Sequence, residues 1–369
     1  MASLATASST LVRPTVKVVQ MDSLVVMKII KHVDSELYAG MSEVAGESCQ
    51  GLLTGLVCLD EERLEVTNSF PTPRAEPVAD GDELGGATES AVAMANENEL
   101  MNTLRKFRQM NIDYELVGFY QAHAFGACFN QDVVESMHVY QEHGPDGILL
   151  VYDPVKTRMG QLSLKAYRLE FDALKLCAQE DWSPEAVKAS GLTYENMFEE
   201  LPISIKSSHL VNVMMAELAL APSRTPNAAA GYLKLGTGRS LEKCVRGIMT
   251  NVDELNKSIT SISKYMGDKQ RHDNHVFNLA QKRQIENEQR QSRGEQPLPM
   301  DDIKRLKAPV LQARNGMVDS FLQCREIDAL HDFCRAVTGE NVAKIFLAES
   351  VAEEKLLSKD RKLSTSTTR

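Results

Sequence analysis

The side chains best suited to chemistry in this sequence are its 8 histidines and 7 cysteines, and their spacing decides what they could do. His272 and His275 stand three apart, so a helix would bring both imidazoles to one face, where they could catch a metal ion weakly. They lie in a polar stretch, and plain solvation is the simpler reading. Cys324, His331 and Cys334 fall roughly on one helical stripe, which suits a satisfied core histidine between two small buried thiols. Cys49 and His123 would supply a nucleophile and a base, yet nothing in the sequence provides the group that orients such a base. Gly236-Thr237-Gly238-Arg239-Ser240 lacks the lysine of a phosphate loop and does not follow a strand. None of these sets reads as catalytic, and no cofactor or metal is expected.

The chain has 369 residues with 41 basic and 51 acidic side chains, a formal charge of -10. That balance excludes a surface that traps nucleic acid or anionic lipid as a whole, while leaving room for a local basic patch. The cysteines show no paired spacing, so they read as reduced thiols of a cytoplasmic protein and not as a disulfide framework or a zinc knuckle. No apolar run approaches the roughly 20 residues of a membrane helix. No membrane contact is expected. The first 15 residues read as a disordered tail, although the first 21, with Arg13, Lys17, several Ser and Thr and no acid, faintly suit a transit segment.

The elements that must position these residues fall into two regimes. Residues 16–170 alternate between strand and helix periods and predict an α/β domain with an inserted loop over 71–90. Gly51 to Leu59 and Ile148 to Tyr152 read as strands buried on both faces. Beyond Phe171 the strand signals cease, predicting a helical extension over 171–235 opened by the cap Ser183-Pro184-Glu185. Leu241, Val245, Ile248, Val252, Leu255, Ile259, Ile262 and Met266 step 4-3-4-3-4-3-4, an a/d seam that predicts a long helix over 240–266 in need of partner helices. Residues 264–314 carry 11 basic against 7 acidic side chains, a local +4. The stretch 267–309 is therefore expected to be a polar basic linker, with weak RNA contact as a second reading. C-terminal helices are expected over 310–350, with Phe321, Ile327 and Val337 facing partners, and a disordered tail over 351–369.

Val117 to Phe129, VGFYQAHAFGACF, resembles the metal-binding strand and loop of the MPN domain, whose peptidase members read W-Y-H-x-H-P followed by S-x-x-D. In those members two His and one Asp hold zinc, and an upstream Glu polarises the water that attacks an isopeptide bond. Laid on that pattern, Gln121 and His123 take the two His positions and Val134 takes the Asp position, with Asp132 two residues early. The general-base position falls on Ser48, with Glu47 one residue off. The resemblance thus implies a dismantled metal site at Ser48, Gln121, His123 and Val134, because zinc wants about four ligands with one position open and a carboxylate beside it.

Further segments, ILLVYDPVKT, LSLKAYRL, FEELPISIKSSHLVNV, RQSRGEQPLP and ENVAKIFLAES, resemble the h-subunit family of eukaryotic translation initiation factor three, in order from about residue 16 to 350. That resemblance implies an α/β MPN domain followed by an all-α region. It also implies a non-catalytic scaffold subunit among PCI and MPN proteins, within a complex that binds the small ribosomal subunit and promotes recruitment of initiator tRNA and mRNA. Two alternatives stay open: an inactive MPN subunit of a proteasome-lid or signalosome-like complex that binds ubiquitin, and a metal-dependent deubiquitinating isopeptidase.

Overall fold

A computed structural model describes residues 13–38, 49–72, 98–144, 146–179, 181–220, 238–294, 296 and 316–366. Eight strands form one sheet: β1 (Val18–Asp22), β2 (Cys49–Cys58), β3 (Arg63–Pro71), β4 (Leu116–Ala122), β5 (Ile148–Tyr152), β6 (Leu164–Leu169), β7 (Phe198–Leu201) and β8 (Ile203–Lys206). Their order is β7-β6-β5-β4-β2-β3-β1-β8. The β1–β3, β1–β8 and β4–β5 pairs are parallel, and the other neighbours are antiparallel.

The alternation of the central strands builds two cores. On one face α1 (Ser23–Tyr38) lays Val25, Val26, Ile29 and Val33 on Leu53, Tyr120, Ile148 and Leu150. On the other, Phe119, Leu149 and Val151 meet Val133 and Met137 of α3 (Gln131–His143) and Ala173 and Leu176 of α5 (Phe171–Gln179). Every residue of β5 is buried, as a strand covered on both faces requires. Helical residues 98–109, taken as α2, follow β3, and the short α4 (Pro154–Arg158) follows β5. Gly118 has φ 152°, and a Cβ there would stand 2.0 Å from the Ile148 carbonyl oxygen. Only glycine lets β4 run this close to β5.

A buried polar knot ties the chain entry to this sheet. Asp146 accepts from the backbone N–H groups of Thr15 and Val16 at 2.8 and 2.9 Å, and Arg168 donates to the Val16 carbonyl at 2.8 Å and to Glu199 at 2.7 Å. Arg168 and Asp146 are both buried, 3.7 Å apart.

Beyond Phe171 the structure departs from the purely helical extension expected. Helix α6 (Pro184–Ser190) starts on its cap, with Ser183 Oγ accepting from Ala186 N–H at 3.3 Å. Phe198–Leu201 and Ile203–Lys206 then return as the two outermost strands. A four-residue strand at a sheet edge buries too few side chains to print a period on the sequence, so β7 and β8 were illegible there. Helix α7 (His209–Leu220) follows and has no buried residue.

The two C-terminal helices are longer than their apolar periods predict. Helix α8 spans Gly238–Ser292, 55 residues, and continues through most of the expected linker. Helix α9 spans Gly316–Ser366, 51 residues, and continues into the expected disordered tail. Strong helix formers such as Gln, Glu, Lys and Arg carry each helix beyond the span that its apolar period marks. The inserted loop 73–90 and residues 1–12 lie outside the described residues.

The seam also has an internal partner. Helices α8 and α9 run antiparallel, with Cys244 against Leu330 and Cys334, Asn251 against Glu326, and Ser258 against Gln323. Ile248, Leu255 and Ile262 turn toward α9 and are half-buried, while Val245, Val252, Ile259 and Met266 stay exposed. The expected seam is therefore split lengthwise. Val337 faces inward onto the α/β domain with Leu330 and Phe333, and Phe321 and Ile327 are half-buried.

Candidate functional site

Strand β4 ends in Gln121 and Ala122, His123 continues in extended conformation, and the following 3-10 turn Ala124–Gly126 reverses the chain with Phe125 at φ 64°. Gln121 pairs in register with Gln50 on one side and Val151 on the other, and Ala122 pairs with Cys49. Successive strand residues face opposite ways, so Gln121 and His123 share one face while Cys49 looks to the other. A Cys49–His123 dyad is thereby excluded. Cys49 instead meets His32 of α1, with its sulfur 3.2 Å from Nδ1, and Tyr120 OH lies 2.7 Å from the same nitrogen.

The vestigial positions can be read one by one. Gln121 is 3% exposed, and its Oε1 has no hydrogen-bond partner. His123 Nδ1 donates to the Ala124 carbonyl at 3.0 Å, and burial lowers the imidazole's pKa despite that hydrogen bond. Val134 is buried in α3 against the core, and Asp132 in the same first turn is exposed. Ser48 and Glu47 lie outside the described residues. An amide oxygen, one imidazole and a valine do not make a zinc site, so the donor set does not fit the metal that peptidase members of this fold hold. Among the described residues, no group of three His, Cys, Asp or Glu side chains could hold a metal ion. His272 is half-buried and His275 exposed, so the two do not share an environment either.

What covers His123 is the C-terminal pair of helices. A cavity of about 400 Å³ lies between His123 and the Ala124–Ala127 turn on one side and Lys243, Arg246 and Asn251 of α8 with Glu326 of α9 on the other. The turn itself is anchored to both. Phe125 packs on Phe333 of α9 with ring centroids 4.5 Å apart, and its backbone N–H donates to Asp153 at 3.2 Å. Asp153 also caps α4 by accepting from Val155 and Lys156. Burial raises the Asp153 pKa, and these backbone donors oppose the rise. Ala124, Ala127 and Val155 join Cys244, Leu330, Phe333 and Val337 in one apolar cluster. Lys269 of α8 reaches Glu185 of α6 at 2.6 Å. Helices α8 and α9 of this chain thus face His123 across that cavity. Sequence reasoning missed the lid because its contacts join residues some 80 to 200 positions apart.

The family described as "JAB1/Mov34/MPN/PAD-1 ubiquitin protease" matches residues 14–146, and that described as "C-terminal region of eIF3h" matches residues 157–357. The chain is 58% identical over 358 residues to the H subunit of eukaryotic translation initiation factor 3 from Caenorhabditis briggsae, covering 96% of this chain and 97% of the relative. The chain belongs to the eIF3h family of translation initiation factor subunits.

Relatives of the same name extend well beyond nematodes. The eIF3h protein of Caenorhabditis elegans is also 58% identical, over 96% of this chain and 97% of its own length. That of Xenopus tropicalis is 37% identical over 94% of this chain and 96% of its own. This chain thus carries an N-terminal JAB/MPN domain followed by the eIF3h C-terminal region, which is mostly helical, and the contacts around Phe125 join α9 to the turn after β4. No described helix is long and apolar enough to cross a membrane.

Proposed function

We propose that this translation initiation factor subunit is a non-catalytic scaffold, working in the cytoplasm, whose exposed apolar helix faces dock on helices of PCI and MPN subunits of the same complex. Through those neighbours it supports recruitment of initiator tRNA and mRNA to the small ribosomal subunit. The observation that carries this reading is the apolar row on α8 that α9 leaves uncovered: Val245, Val252, Ile259 and Met266, each seven residues from the next, with Met249 beside it. Ile345, Phe346 and Leu347 of α9 and Leu210, Val213 and Leu218 of α7 are exposed as well. Burying each such side chain against a partner helix contributes about 1.5–3 kcal/mol. The depleted donor set at Gln121, His123 and Val134 supports the absence of hydrolysis. Contact with ribosomal RNA is at most a local contribution from the basic stretch after Lys264, since acids interleave there.

The test is a pull-down of the full chain from cell extract, read by mass spectrometry. Val252→Asp with Ile259→Asp is expected to strip the chain of its initiation factor partners while its circular dichroism and melting temperature stay within experimental scatter. Normal co-purification of this double variant would sink the proposal. The inward-facing Ile248 and Leu255 are unsuitable here, because an Asp at either would break the internal pair first.

A further inference from the structure

Cys244 and Cys334 are brought together by the fold from 90 positions apart, with their sulfurs 3.2 Å from each other. Cys334 S–H points at Cys244 sulfur, and Cys244 S–H in turn donates to the Leu330 carbonyl at 3.1 Å. Cys244 is fully enclosed, whereas Cys334 is half-buried and open to solvent on one side. Around them stand Phe125, Phe333 and Val337, so the pair sits where α8, α9 and the Ala124–Gly126 turn converge. A disulfide needs its sulfurs at ~2.0 Å, so closing this pair takes an approach of about 1.2 Å, within reach of side-chain rotation.

We propose that Cys244 and Cys334 form an oxidation-dependent disulfide that locks α8 to α9 over the vestigial site. The exposed side of Cys334 makes it the first target. After its proton passes to water, its thiolate attacks the outer oxygen of a hydroperoxide, the O–O bond breaks, and the leaving alkoxide takes that proton back from water, giving a Cys334 sulfenic acid and an alcohol, or water when the oxidant is hydrogen peroxide. Cys244 sulfur then attacks the Cys334 sulfur, the S–O bond breaks, and the departing oxygen takes the Cys244 proton and leaves as water. Two thiols are oxidised by two electrons and one hydroperoxide is reduced. The order follows from the environments: burial and the neighbouring sulfur push the Cys244 thiol's pKa well up, which keeps it protonated until a sulfenic acid stands beside it. The other thiols lack this arrangement. Cys128 is buried in the core, and Cys324 lies ten residues before Cys334 on α9, nearly three turns away.

The experiment treats the full chain with hydrogen peroxide, blocks free thiols with an alkylating agent, and maps peptides without reduction. The expected product is one linked peptide pair containing Cys244 and Cys334, two hydrogens lighter than its parts and separated by a thiol reductant. Amide exchange around Cys244 and Leu330 should slow several-fold in the oxidised protein. In Cys244→Ser the Cys334 sulfenic acid should persist long enough to be trapped by a diketone probe, and in Cys334→Ser residue Cys244 should stay a free thiol. Recovery of Cys244 as a free thiol from oxidised wild-type protein, or its linkage to any cysteine other than Cys334, would overturn the proposal.

Discussion

The Asn251 side-chain amide donates to the Glu326 carboxylate at 2.9 Å, a polar bridge between α8 and α9 directly beside the His123 cavity. Burial of Glu326 outweighs this hydrogen bond, and the nearby Glu254 adds repulsion. The carboxyl pKa is thereby pushed from 4.5 up to about 7.

A pH dependence follows from that rise. Between 4.5 and about 7 the folded chain holds a proton on Glu326 that the unfolded chain has lost. Stability contributed here therefore falls as pH rises through that window and levels off above it. At about 1.4 kcal/mol for each pH unit between the two values, the loss is about 3 kcal/mol at most. Glu326→Gln keeps an acceptor for Asn251 and removes the charge. Its melting temperature is expected to match wild type near pH 5 and to exceed it by several degrees near pH 8. Parallel melting curves across that range would contradict the assignment.

Arg168 is the second stability test. It is buried, it donates to the Val16 carbonyl and Glu199, and it neutralises Asp146, which holds the Thr15 and Val16 amides. Arg168→Met leaves Asp146 charged and enclosed. A loss of ~3–5 kcal/mol in urea denaturation is expected, because removing one partner of a buried pair leaves the other charge uncompensated. Adding Asp146→Asn should recover part of that loss, and fully additive single effects would show that the two side chains are not coupled.

The third prediction concerns metal. Purified without chelator, the chain is expected to carry zinc far below one ion per molecule and to leave ubiquitin chains intact, because Val134 offers no donor and Gln121 only an amide. His123→Ala should cost about 1 kcal/mol, the worth of its hydrogen bond to the Ala124 carbonyl, without changing partner binding. Stoichiometric zinc whose removal abolishes chain cleavage would establish the isopeptidase reading instead.

Much of this protein is determined by its sequence alone. Val25, Val26, Ile29 and Val33 declare the inner face of α1, the unbroken Ile148–Tyr152 run declares a doubly covered strand, and the missing ligand chemistry at Gln121 and Val134 is visible residue by residue. Each of these signals is local, a period or an identity within one element. Tertiary structure alone decided three other things. It returned Phe198–Lys206 to the sheet as edge strands, because pairing with β6 and β1 supplies hydrogen bonds that no short run advertises. It divided one heptad seam into an inner row with Ile248 and Leu255 and an outer row with Val252 and Ile259, since a periodic stripe tells that a helix needs covering but not by which surface. And it set α8 and α9 over His123 and brought Cys244 to Cys334, because contacts between distant segments depend on how whole helices pack, which no window of sequence contains.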